Sequence, residues 1–236
     1  MEKSLKLLAA VFLSLLVSCG KIAPEGSISA KDIPVEDFNA INLKGKFRVF
    51  FVNNAKNFVT VETYPNIASN LDIEVSDKTL SITENRATKG VDFYNVTIYS
   101  KLNPASITVS DSVEVNVSGG IKTDNFKIIL KNNAKFIGAV TSRRAEVEMV
   151  NAGRANFTGF TGDAVMEVSD SAGIIAPYWE LGNLNIDLKG GSYAEVNVKD
   201  SIKGNIRNAS KFIYYNDPIR AFKIEKTATV QNKMLN

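Results

Sequence analysis

Histidine is absent from the 236 residues. That removes Ser–His and Cys–His nucleophile pairs, histidine-bearing zinc sites and the commonest general base. Neither a phosphate-binding loop nor a dinucleotide fingerprint occurs. Acid–base chemistry would fall to carboxylates, lysines, arginines or tyrosines. The regularly spaced candidates are Asp111, Lys131 and Arg154, which stand at successive copies of a small polar tripeptide, and Asp170, which matches Asp111 in a later copy. If those tripeptides stack at ordinary strand spacing, Asp111 and Asp170 lie three layers apart, about 14 Å. A glycosidase pair needs roughly 5–9.5 Å, so these two aspartates do not form one. Asp111, Lys131 and Arg154 would occupy successive layers. Such a strip is similar to the acid–base surfaces of β-helical polysaccharide lyases, which add a carboxylate-bound Ca²⁺. The plainer reading of the same residues is solvated corners. No cofactor or metal set is indicated.

Other residues offer binding or modification chemistry. Tyr178-Trp179 beside Pro177 interrupts the repeat; exposed, the pair would stack on a sugar face, and buried, it would close one side of the fold. Tyr214 and Tyr215 are adjacent, so strand alternation turns one of them inward. Asp111-Ser112-Val113, Asp170-Ser171-Ala172 and Asp200-Ser201-Ile202 are similar to the Asp-Ser/Thr-apolar O-glycosylation site of exported bacterial proteins. Ser112, Ser171 and Ser201 are therefore candidate acceptors.

Cys19 is the only cysteine, so no intramolecular disulfide can form. It follows Leu16-Val17-Ser18 at the end of an apolar run, Leu7 to Val17, that is preceded by Lys3 and Lys6. The run is too short for a permanent membrane span and reads as a secretory signal. Its last residues resemble a bacterial lipobox, which implies removal of residues 1–18 and lipidation of Cys19. A thioether lipid with further acyl chains supplies the more-than-single anchor that stable membrane attachment needs. Gly20 stands where an inner-membrane retention signal would place Asp, which points to the outer membrane.

The elements that position these residues are short strands. Residues 20–35 carry Gly, Ser, Pro and Lys without a period and read as a tether; residues 231–236 read as a tail. Between them alternation dominates, as in Phe47/Val49/Phe51, Val59/Val61/Thr63 and Leu71/Ile73/Val75. Polar tripeptides centred on 111, 132, 152, 170, 190, 209 and 227 recur at steps of 18 to 21 residues, each flanked by alternating strands. Strands before the turn include Leu184/Ile186/Leu188 and Val165; strands after it include Phe136, Phe157 and Ala194/Val196/Val198. One coil cannot bury these residues alone, but stacked coils share an interior. Asn, Asp, Gly and Ser at the corners accept left-handed backbone and can bond along the stack. The expected fold is all-β, a right-handed parallel β-helix with coils of about 20 residues over residues 36–230. Loss of residues 1–18 lowers the formal charge from +3 to +2, spread along the chain, and leaves no nucleic-acid footprint.

The order and spacing of these pieces resemble the "head GIN" putative auto-transporter adhesin family. The matching pieces are Asp37-Phe38-Asn39-Ala40-Ile41, Gly45-Lys46-Phe47-Arg48-Val49, Leu71-Asp72-Ile73-Glu74-Val75, Thr79-Leu80-Ser81-Ile82 and Tyr214-Tyr215-Asn216-Asp217-Pro218. Asn216 replaces a family glycine, and most corners here carry Asp, Asn or Lys where the family has Ser-Gly. The resemblance implies surface adhesion. The expected protein is a non-enzymatic envelope lipoprotein, anchored through Cys19, that binds glycan or protein surfaces, with a homodimer allowed by open solenoid ends. The alternatives are a polysaccharide-binding or lyase-like β-helix, with Tyr178, Trp179, Asp111, Lys131 and Arg154 as ligand contacts, and a structural envelope scaffold.

Overall fold

The corners of the fold are built on a column of residues with left-handed backbone. In a computed structural model, which describes residues 20–234, Asp111, Asn132, Asn151 and Asp170 have φ of 61–62°, and Gly190 and Asn208 continue the column at 70° and 51°. Asn, Asp and Gly enter this region at least cost. The column also bonds along the stack. Asn132 Nδ2 donates to Asp111 Oδ1 at 3.0 Å, and Asn151 Nδ2 donates to Asn132 Oδ1 at 2.9 Å. At the corner of Asn208 the next residue, Ala209, is also left-handed, at 59°.

From each corner the chain runs into strands that pair in parallel with the coils on either side. The elements are β1 (Ser29–Pro34), β2 (Ala40–Gly45), β3 (Arg48–Asn53), β4 (Phe58–Thr63), α1 (Pro65–Ala68), β5 (Leu71–Ser76), β6 (Thr79–Glu84), β7 (Asn95–Ser100), β8 (Ser106–Asp111) and β9 (Glu114–Ser118). They continue with β10 (Ile121–Leu130), β11 (Lys135–Met149), β12 (Arg154–Val168), β13 (Gly173–Leu188), β14 (Tyr193–Ile206), β15 (Lys211–Tyr215), β16 (Ile219–Ile224) and β17 (Thr229–Lys233). Lys135 pairs with Arg154, Arg154 with Gly173 and Gly173 with Tyr193, steps of 19, 19 and 20 residues. This is a parallel β-solenoid. Its interior is a set of axial stacks: Leu130, Met149, Val168, Leu188 and Ile206 form one, all at most 1% exposed. Phe136, Phe157 and Trp179 form an aromatic stack with centroid separations of 4.9 and 4.5 Å. Val165, expected to face inward, points out; Met166 takes the buried position in register with Val147 and Ile186.

The two ends differ. At the N-terminal end β2 lies between β6 and β8, and β3 between β7 and β9, so β6 and β7 return outside the first two parallel strands. Antiparallel strands finish that end, β5 on β6 and β4 on β7, with β1 antiparallel on β4. The segment expected as a tether is therefore part of the fold. Ile22 bridges Thr88, Asn66 Nδ2 donates to the Ala23 carbonyl, and Arg86 donates to the Gly20 carbonyl at 2.8 Å. A short segment rich in Pro and Gly docks here because β4 would otherwise be an open edge. At the C-terminal end β16 pairs only with β14, and β17 only with β15, among the described residues. Cys19, the lipobox residues Leu16, Val17 and Ser18 and the signal segment lie outside the described residues.

Candidate functional site

Asp111, Lys131 and Arg154 stand on successive coils but in different columns, and their polar atoms are committed separately. Asp111 receives Asn132 at the corner. Lys131 sits one residue before the corner column, in register with Ser110 and Val150. Arg154 sits three residues after it and folds the other way, toward the next coil. Its Nη1 donates to the carbonyls of Ala152, Gly153 and Ser171 at 3.3, 3.0 and 2.5 Å. The three do not form an acid–base centre. Among the described residues, no group of three or more Asp, Glu or Cys side chains converges as a metal site would require.

Trp179 is fully buried. Its ring stacks on Phe157, and its Nε1 donates to Thr161 Oγ1 at 3.2 Å, which is in turn bonded to Ser142 Oγ at 2.9 Å. This corrects the reading of Trp179 as a ligand contact. Tyr178 is 66% exposed. The register of β13 on β12 shifts between Ala155 and Thr158, where β13 holds an extra residue, and the shift turns the tryptophan in and the tyrosine out.

The solenoid side wall that follows the corner carries a shallow groove of about 590 Å³. Lys135, Arg154, Gly173 and Tyr193 lie in register along it. The outward-facing Ile137 and Ile175, 47% and 49% exposed, supply apolar floor. Arg154 lies across Gly173: its Cδ, Nη1 and Nε are 3.7–3.8 Å from where a Cβ would stand. Tyr193 is held from beyond the groove, since its hydroxyl donates to Glu195 Oε2 at 2.5 Å while Tyr215 donates to Glu195 Oε1. Burial alone would push the Glu195 carboxyl up, but the two phenol donors outweigh it and hold it below its ordinary value. The Tyr193 phenol is raised by burial and by Glu195, and that of Tyr215 is pushed up to about 12, chiefly by its bond to Glu195. Lys211 Nζ sits 5.9 Å from the Tyr193 ring centroid. Sequence reasoning singled out Arg154 but missed Gly173, Tyr193, Glu195 and the two isoleucines. Their signal was faint: an apolar residue at an outward parity position, repeated two coils on.

Of the candidate glycosylation sites, Ser112 and Ser171 are exposed at corners. Ser201 is half-buried, and its hydroxyl donates to Asn183 Oδ1 at 2.7 Å.

A stack of parallel coils around a closed axial core places the chain in the class of parallel β-solenoids. Within that class, the chain belongs to the putative auto-transporter adhesin, head GIN domain family, matched over residues 37–218. Solved structures share the fold. A putative adhesin from Bacteroides fragilis superposes with a TM-score of 0.80 at 18% identity, covering 90% of this chain and 100% of that one. A putative adhesin from Parabacteroides distasonis gives 0.72 at 19% identity, covering 91% and 100%. A putative lipid binding protein from the same species gives 0.71 at 15% identity, also covering 91% and 100%. No curated protein matches the chain.

Proposed function

We propose that the protein is a non-enzymatic adhesin of the cell envelope, held to the outer membrane by lipid at Cys19, and that the side wall carrying Arg154 is its adhesive surface. The observation that carries this reading is the groove itself. It joins a guanidinium fixed by three carbonyls to half-exposed isoleucines, which is binding chemistry. A long wall of fully paired strands gives many shallow contacts on a rigid support. Membership of an adhesin family points the same way.

Two measurements test it. Beads coated with the chain from Gly20 onward, which contains every strand described, should adhere saturably to envelope or host surfaces, and soluble chain should compete. Beads that adhere to none of these surfaces would sink the reading. For the anchor, intact mass of the membrane-extracted protein should show a lipid adduct that Cys19→Ser removes; a mass with no adduct would end the lipoprotein assignment.

A further inference from the structure

Gly173 has no backbone reason to be glycine. Its φ lies outside the left-handed region, and an added Cβ would meet nothing closer than 3.7 Å. Glycine within a strand weakens it, and it often marks a place where another group approaches closely. Here the group is Arg154, which crosses the vacant position to reach the Ser171 carbonyl. The bonds go through Nη1, so Nε and Nη2 keep their protons without a protein acceptor among the described residues. The guanidinium is thus oriented in advance, with a free edge, beside an apolar floor and over the coil of Gly173, whose register partner on the next coil, about 5 Å along the stack, is Tyr193.

We propose that this groove is a receptor for carboxylated sugars, a site for hexuronate residues of an acidic polysaccharide. The carboxylate takes the free edge of Arg154 with the fork geometry that guanidinium favours. The apolar ring face rests on Ile175, on the coil of Gly173, Ile137 extends the apolar floor two coils back, and the next residue of the polymer reaches the Tyr193 ring; Lys135, at the far edge, is already paired with Glu114 at 3.6 Å. An acidic peptide fits less well. Every strand under the groove is already paired, so an extended peptide finds no backbone ladder to join. This inference rests on the adhesive reading of the side wall and narrows it to one ligand class.

The test is titration of the chain from Gly20 onward with oligomers of galacturonate, glucuronate and mannuronate, set against a neutral maltotetraose and a tetraglutamate peptide. At least one oligouronate should bind and neither control should. Arg154→Gln should weaken that binding roughly ten- to hundredfold, the loss of a charged hydrogen-bond pair. Gly173→Val should do the same by occupying the seat of the arginine, while Gly173→Ala, whose Cβ makes only ordinary contact, keeps the fold and reports a partial effect. Thermal melting of each variant separates lost binding from lost structure. Failure of all oligouronates to bind, binding unchanged in folded Arg154→Gln and Gly173→Val, or preference for the peptide each overturns the assignment. Coated beads that adhere to cells yet ignore every oligouronate overturn this inference alone and leave the adhesin standing.

Discussion

Trp179 shows how a single inserted residue decides between a ligand contact and a core residue. Ile174 and Ala176 face inward, so strict alternation would bring Tyr178 in and Trp179 out; the extra residue in β13 reverses that parity. Sequence inspection sees the pair and the proline but not the pairing partner whose register defines the bulge. Because the indole is fully buried against Phe157, Trp179→Ala should cost about 3–5 kcal/mol, read by chemical denaturation, and oligouronate binding should persist in whatever fraction stays folded. A variant of wild-type stability would contradict the buried stack. The Glu195 cluster makes a pH prediction at the same scale. A carboxyl held below its ordinary value stabilises the fold above that value, and the contribution is lost as pH falls through the folded value. The wild type should therefore lose melting temperature on acidification below about 4.5 more steeply than Glu195→Gln does. Tyr215 acts in the opposite direction. Its phenol is raised from 10.0 to about 12, so its contribution is complete below 10.0 and fades as pH climbs toward 12. Tyr215→Phe should flatten the alkaline limb of the same melting curve; parallel limbs in both variants would mean that the cluster does not couple to folding.

The corner turn is the element that sequence states most openly. Asp111, Asn132, Asn151 and Asp170 are the residue types that left-handed backbone selects, and they recur once per coil. The period, the all-β class and the stacked interior all follow from that column and the alternation around it. What alternation conceals is order. β2 sits between β6 and β8, yet all three read as the same half-buried pattern, so nothing in Ile41/Leu43, Leu80/Ile82 or Ile107/Val109 says which strand is outermost. The docking of β1 is hidden for a different reason: Ser-Ala-Lys-Asp-Ile-Pro has little apolar content, and apart from Thr60 donating to Asp32 at 2.7 Å it is held to β4 by its backbone pairing, which leaves no trace in side-chain type. The groove was partly legible, through Arg154, and partly not, since a permissive glycine and two outward isoleucines acquire meaning only when three coils are laid side by side. The corner ladder can be tested by paired substitution. Asn151→Ala, at φ 61°, should destabilise by about 1–2 kcal/mol, and Asn151→Gly should lose less because glycine removes the conformational penalty and keeps only the loss of the bond to Asn132. Alanine as stable as glycine would show that the corner tolerates another backbone geometry.

At the scale of the whole molecule the solenoid is a one-dimensional stack with one closed end and one open end. Stability in such a stack is a sum of coil and interface contributions, so an end with a missing neighbour opens first. The N-terminal end is doubly protected, by the antiparallel β4–β1 pair on one wall and by β5 on the other, and the Gly20 carbonyl is fastened to Arg86. The last coil, β16 and β17, has one neighbour among the described residues, and its Ile219 and Ile224 are 75% and 53% exposed. Should Cys19 carry lipid, the closed end stands at the bilayer one residue from the anchor, while the groove and the open end project away from it along the stack. Amide exchange followed by mass spectrometry should therefore show β16 and β17 exchanging fastest, protection rising through β14 and β13, and the slowest exchange in β3, β9 and their neighbours. Deleting residues 20–34 should abolish that gradient by unprotecting β4 and β7, whereas deleting residues 231–236 should leave it in place. Uniform protection from end to end would mean that the coils unfold as one unit, and the open end would then be held by interactions that the strand pairing does not explain.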